Sequence, residues 1–115
     1  MSIVFKDYQS QAREFATYPG IGSNVLYPCL GLAGESGELI DKIKKIYRNR
    51  EVSEVTGFTT DEILEIKKEM GDVLWYLSNL ASEFNLELTD VAQLNIDKLT
   101  DRRNRGVIKS QGDNR

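Results

Sequence analysis

The chain has 115 residues, enough for one hydrophobic core and too few for two ordinary domains, and its 40% hydrophobic and 29% charged residues are those of a folded globular protein. A net charge of -3 lacks the basic surplus with which general nucleic-acid binders neutralise phosphates, so no nucleic-acid partner is expected. Histidine is absent, which removes Ser-His-Asp and Cys-His triads, a histidine general base and any His-containing zinc site, leaving carboxylates, lysines or a metal to carry catalysis.

In chain order, Phe5, Tyr8, Ala12, Phe15 and Ala16 recur every three or four residues and predict a first amphipathic helix over Val4 to Thr17, stopped by Tyr18-Pro19-Gly20. A second helix is expected from Leu26 to Arg48, with Pro28 in the first turn, where no internal N–H partner is lost. Its apolar positions include Leu32, Leu39, Ile43 and Ile46. Asn49 to Thr59 lacks helical period and reads as a loop. Thr59 or Thr60 then caps a third helix reaching Phe84, whose expected buried stripe is Ile63, Ile66, Met70, Val73, Leu77, Leu80 and Phe84. Thr89 followed by Asp90 is expected to open a fourth helix ending near Arg105, with a polar tail from Gly106 onward. The fold class is therefore all-α, a four-helix bundle in one domain spanning 1–115. The wide apolar arcs of the second and third helices suit both an internal core and a subunit interface, so completion by homo-oligomerisation is expected. The lone Cys29 forms no internal disulfide and reads as a small core residue. No secretory leader is visible and no stretch is long and apolar enough for a membrane span, so a cytoplasmic location without a membrane partner is expected.

Two helices each carry an acidic pair three residues apart: Glu35 and Glu38 within Gly31-Leu32-Ala33-Gly34-Glu35-Ser36-Gly37-Glu38, and Glu69 and Asp72. At about 100° per residue each pair points one way. Gly31 and Lys42 join the first stripe, Glu65 and Tyr76 the second, and both stripes border apolar faces. Packing those faces together brings four carboxylates to the edge of the core. Like charges that close cost several kcal/mol unless a cation sits between them. An all-oxygen donor set suits Mg²⁺, with Mn²⁺ as substitute, rather than zinc, and the ferritin-like di-iron site fails for want of Glu-x-x-His. Either pair alone would more often be solvated surface charge. The glycine and serine content around the first pair shifts that balance, because Gly31, Gly34, Ser36 and Gly37 each weaken a helix by up to ~1 kcal/mol, a cost accepted where helices approach closely or a ligand needs room.

These segments resemble the MazG-like nucleoside triphosphate pyrophosphohydrolases, a branch of the all-α NTP pyrophosphatase superfamily. The resemblance runs through Gly31 to Leu39, Lys42 and Lys45, then Lys68 to Leu77, then Asn95, Lys98, Leu99, Arg102, Arg103 and Arg105-Gly106. The closing Gly112 to Arg115 is similar to small phage and bacterial members. The resemblance implies cleavage between the α and β phosphates of a nucleoside triphosphate, with Glu35, Glu38, Glu69 and Asp72 as Mg²⁺ ligands. Longer relatives often begin the first motif with two adjacent glutamates; here Gly34 precedes Glu35, which leaves the number of metals open. The metal polarises phosphate oxygens and acidifies water, and Glu38 is nominated to orient that water. Lys42, Lys45, Lys98, Arg102 and Arg103 are the candidates for holding the triphosphate, although Lys42 also fits an ordinary helix pair with Glu38, and Lys98, Arg102 and Arg103 a basic helix end. Tyr76, Asn79 and Asn95 are candidates for contacting base or sugar, and Trp75 is assigned to a subunit interface. A homodimer, or a homotetramer built as a dimer of dimers, is expected. Two alternatives stay open: the same fold acting on a phosphoribosyl nucleotide or (d)NDP, and a non-catalytic helical oligomerisation or regulatory module.

Overall fold

The structure, a computed structural model, describes residues 2–106. Its elements are α1 (Phe5–Glu14), α2 (Leu26–Arg50), α3 (Thr60–Glu83) and α4 (Leu88–Asn104), with one 3₁₀ turn, Val55–Gly57, in the connection after α2. The described chain is all-α. Most of the polar tail, including Gly112 to Arg115, lies outside the described residues. No described helix is long and apolar enough to cross a membrane.

Local chemistry sets each boundary. α1 stops three residues short of Thr17 because the chain turns inward at Ala16 and Tyr18, both buried. α2 runs two residues past Arg48, until Glu51 adopts φ 55° and its N–H donates to the Tyr47 carbonyl. At α3 the Thr59 hydroxyl accepts from the Glu62 N–H at 3.0 Å while Glu62 accepts from the Thr59 N–H at 2.9 Å, a reciprocal cap satisfying two otherwise orphaned donors. Arg50 grips the same Glu62 carboxylate through two 2.8 Å hydrogen bonds, tying the end of α2 to the start of α3. Thr89 does not cap α4. The helix begins earlier, at Leu88, whose N–H donates to Gln9 Oε1 of α1 at 2.8 Å.

α2 and α3 form a long antiparallel hairpin, α1 crosses α3, and α4 packs chiefly on α1. Around the end of α3 the packing is polar. Glu83 is buried and accepts from Tyr18 Oη, Arg13 Nη2 (2.9 Å), Gly22 N (2.8 Å) and Asn24 N (3.0 Å). Those donors hold its carboxyl down at about 2, against the opposing push of burial. This knot joins α1, the loop before α2 and the end of α3.

The expected burial of the third helix holds only in part. Ile66 is buried and Val73 and Leu80 are half-buried, but Ile63, Met70, Leu77 and Phe84 face outward, Met70 at 54% exposure. On α2, Leu26, Leu30, Ile40 and Tyr47 are also exposed, and so is Cys29, which corrects its expected place in the core. A helix wheel identifies apolar sides; it does not say which side this chain covers by itself.

Candidate functional site

The two acidic stripes meet along one edge of the α2–α3 hairpin. Gly31 lies against Tyr76, so closely that a Cβ on Gly31 would stand 2.1 Å from the tyrosine Cε1. Further along, Lys42 Nζ lies 3.7 Å from Glu69 and 3.9 Å from Glu65. These contacts fix the antiparallel register. Between them, one carboxylate oxygen each from Glu35, Glu69 and Asp72 lies within 4.8 Å of the others.

Two of these groups are anomalous unless a cation joins them. Glu35 Oε2 and Glu69 Oε2 are buried and accept no hydrogen bond, a state that costs free energy for an ionised oxygen. Burial first, and then the charges of Glu38, Asp72 and Glu69, push the Glu35 carboxyl above its ordinary range. An all-carboxylate cluster with unsatisfied oxygens suits a hard divalent cation, so the residues fit Mg²⁺ or Mn²⁺.

Glu38 falls outside the three-oxygen group. It is exposed beside Glu35 and lines a cavity of about 450 Å³ with Asp41, Lys42, Lys45, Ile46 and Glu69. Lys42 reaches across to α3 rather than back to Glu38, so the ordinary helix pair is not the contact it makes. Lys45 is exposed on the same cavity, 2.8 Å from Asp41. Tyr76 closes the other end of the cluster, with the edge of half-buried Trp75 against its ring at 5.1 Å.

Five of the sequence candidates stand elsewhere or face inward. Asn79 is 1% exposed, receives a hydrogen bond from Arg13 Nη1 at 3.0 Å and donates to the Trp75 carbonyl at 3.1 Å, so its amide serves the interior and not a base or sugar. Arg102 is 4% exposed, buried rather than displayed on a solvated helix end. Asn95 and Arg103 are exposed and Lys98 half-buried on α4, whose main packing partner among the described elements is α1. Only Gly31 of the glycines near the first acidic pair is in close approach; a Cβ at Gly34 or Gly37 would meet nothing within 4 Å. Tyr27 passes unnoticed in the motif, although its spacing of four residues before Gly31 places it on the same stripe.

The family model for the MazG nucleotide pyrophosphohydrolase domain matches residues 27–107. The Gene 37 protein of Mycobacterium phage L5 is 40% identical over 114 residues, an alignment covering 94% of this chain and 96% of that protein. No solved structure matches. Since the match takes in both acid-bearing helices and the likeness to the phage protein runs nearly end to end, the chain belongs to the family of MazG nucleotide pyrophosphohydrolase domains.

Proposed function

We propose that this chain hydrolyses (d)NTPs between the α and β phosphates, releasing (d)NMP and pyrophosphate, with Mg²⁺ held by Glu35, Glu69 and Asp72 and approached by Glu38 from the cavity side. The observation that carries this reading is the convergence of three carboxylate oxygens within 4.8 Å, with Glu35 Oε2 and Glu69 Oε2 of these carboxylates buried without hydrogen bonds, inside a stretch matched by a nucleotide pyrophosphohydrolase family. When bound, the cation supplies electrophilic polarisation of phosphate oxygens and acidification of water.

The protein groups supply orientation and charge. Glu38 is assigned the orienting of water, a reading supported by its exposure beside the cluster on the cavity that Lys42 and Lys45 also line. Lys42 and Lys45 line the same cavity and receive phosphate oxygens, Lys42 by leaving its two glutamate partners at 3.7 and 3.9 Å. Asn95, Lys98 and Arg103 reach a triphosphate only if α4 of a neighbouring copy is brought alongside the hairpin. Exposed Leu26, Leu30, Ile40 and Tyr47 on α2 support such an assembly, a homodimer or dimer of dimers, since a monomer rarely leaves so much apolar surface in one stripe. A cytoplasmic setting, where (d)NTPs are abundant, belongs to the same proposal.

Product analysis with each common (d)NTP, with and without Mg²⁺, tests the reading. Equimolar nucleoside monophosphate and pyrophosphate, abolished by chelator and restored by Mg²⁺ or Mn²⁺, is expected. Release of orthophosphate, a preference for (d)NDP or phosphoribosyl nucleotides, or indifference to chelator would refute it. Sedimentation of the same preparation checks the oligomer.

A further inference from the structure

The edge of α2 is graded. Tyr27, Gly31, Glu35, Glu38, Lys42 and Lys45 follow one another at three- or four-residue steps along one side of the helix, so aromatic, acidic and basic groups succeed one another in that order. At 1.5 Å per residue, about 12 Å separates Tyr27 from Glu35 and about 10 Å separates Glu38 from Lys45 along the axis. A nucleoside triphosphate has the same sequence of chemistry: an aromatic base, the phosphate that reacts, and a strongly anionic tail.

Tyr27 is also built to accept a ring. One of its faces is stacked on buried Tyr18, with centroids 4.8 Å apart and planes 10° from parallel. Tyr18 is in turn held by Arg13 Nη1 at 2.6 Å and by Glu83. The Tyr27 N–H donates to Asn24 Oδ1, and the Asn24 N–H donates to the same Glu83. The backbone and one face are thus immobilised, while 42% of the residue stays exposed. A pre-ordered ring with one open face binds a flat aromatic ligand with little loss of side-chain freedom. Among the described residues the ring stacked on Tyr27 is that of Tyr18.

Resting on the nucleotide reading above, we propose that Tyr27 stacks the nucleobase on its open face while the triphosphate runs along α2 toward Lys42 and Lys45. This sets the direction of the substrate in the groove and makes Tyr27 the residue through which the base is felt. Stacking is tolerant of base identity, so such a site accepts several nucleotides and discriminates weakly among them.

Calorimetry in Mg²⁺ with two probes separates the ends of the groove: nucleoside 5′-monophosphates and inorganic triphosphate. Tyr27→Ala is expected to weaken monophosphate binding by about fivefold or more, the equivalent of about 1 kcal/mol, and to leave inorganic triphosphate within about twofold. Tyr27→Phe keeps both affinities. Lys45→Ala shows the reverse pattern. Equal weakening of both probes in Tyr27→Ala, or none, overturns the proposal. Because loss of the stack on Tyr18 can unfold the alanine variant, wild-type protein is also photolabelled with 8-azido-AMP and the labelled residue sequenced; the label is expected within residues 18–31, and labelling confined to residues 35–50 overturns the assignment. Wild-type protein that releases no pyrophosphate yet splits the probes in this way sinks the enzymatic reading alone; turnover with an unaffected Tyr27→Ala sinks the substrate direction alone.

Discussion

In Gly31→Ala the new methyl would stand 2.1, 2.3 and 2.6 Å from Cε1, Cδ1 and Cζ of Tyr76, distances at which the ring must leave its place. Two effects oppose each other. Alanine gains up to about 1 kcal/mol of helix propensity over glycine, whereas forcing apart a packed contact costs about 1–3 kcal/mol. The net is a loss of up to about 2 kcal/mol, and the cleaner quantity is a difference. In Gly34→Ala the methyl meets nothing within 4 Å, so that variant keeps the propensity gain alone. The two should therefore differ by about 1–3 kcal/mol, which at roughly 4 °C per kcal/mol for a chain this size separates their melting temperatures by about 4–12 °C. Calorimetry at one fixed protein concentration, without metal, measures it. Activity should fall in Gly31→Ala more than stability requires, because the displaced Tyr76 ring borders Glu35 and Asp72. A Gly31→Ala protein melting at or above Gly34→Ala would refute the argued register of α2 against α3.

Asp72→Asn is expected to abolish pyrophosphate release and the Mg²⁺-induced thermal shift while slightly raising the melting temperature of metal-free protein, since it removes one of three mutually repelling carboxylates; unfolding, read by circular dichroism, would reveal a structural network instead. Glu83→Gln should flatten the acid limb of stability. With a folded value of about 2 against an ordinary 4.5, the wild-type carboxylate contributes fully above 4.5 and loses its contribution as pH falls toward 2, which denaturant titrations across that range detect as a slope steeper in wild type than in the variant, where Glu62 still titrates. Gln9→Leu removes the acceptor for Leu88 N–H and the donor to Leu86 O, and should cost about 1 kcal/mol, with faster amide exchange confined to the start of α4.

What could be read from residues alone was what depends on neighbours within a helix turn or two. The spacing of Glu35 with Glu38 and of Glu69 with Asp72 fixes their direction on each helix, and packing the bordering apolar faces brings Glu35, Glu69 and Asp72 together. The same logic failed where a distant partner decides. Asn79 falls close to the stripe bearing Tyr76, but Arg13, 66 residues away, claims its carbonyl oxygen. Thr89 has the chemistry of a cap, yet Gln9, 79 residues from Leu88, supplies the acceptor and moves the start of α4. Met70 and Leu77 have apolar periodicity, and nothing in periodicity says whether this chain or another surface covers them. The glycines of the first motif misled in a different way: a flexible residue announces that space is needed without saying for what, and of Gly31, Gly34 and Gly37 only Gly31 needs it for a neighbour within the described chain.

Gly31 against Tyr76, Lys42 against Glu65 and Glu69, and Arg50 against Glu62 set the alignment of the two long helices, so the exposed tip of the segment joining them need not. Ser53 and Glu54 are exposed, and extra residues inserted there would cost only the slow logarithmic entropy of a longer closure. The hairpin is thus a ruler whose graduations run from Gly31 to Arg50 and whose exposed tip at Ser53 and Glu54 is free to vary. A longer or decorated turn would leave the three converging carboxylate oxygens of Glu35, Glu69 and Asp72 where they are.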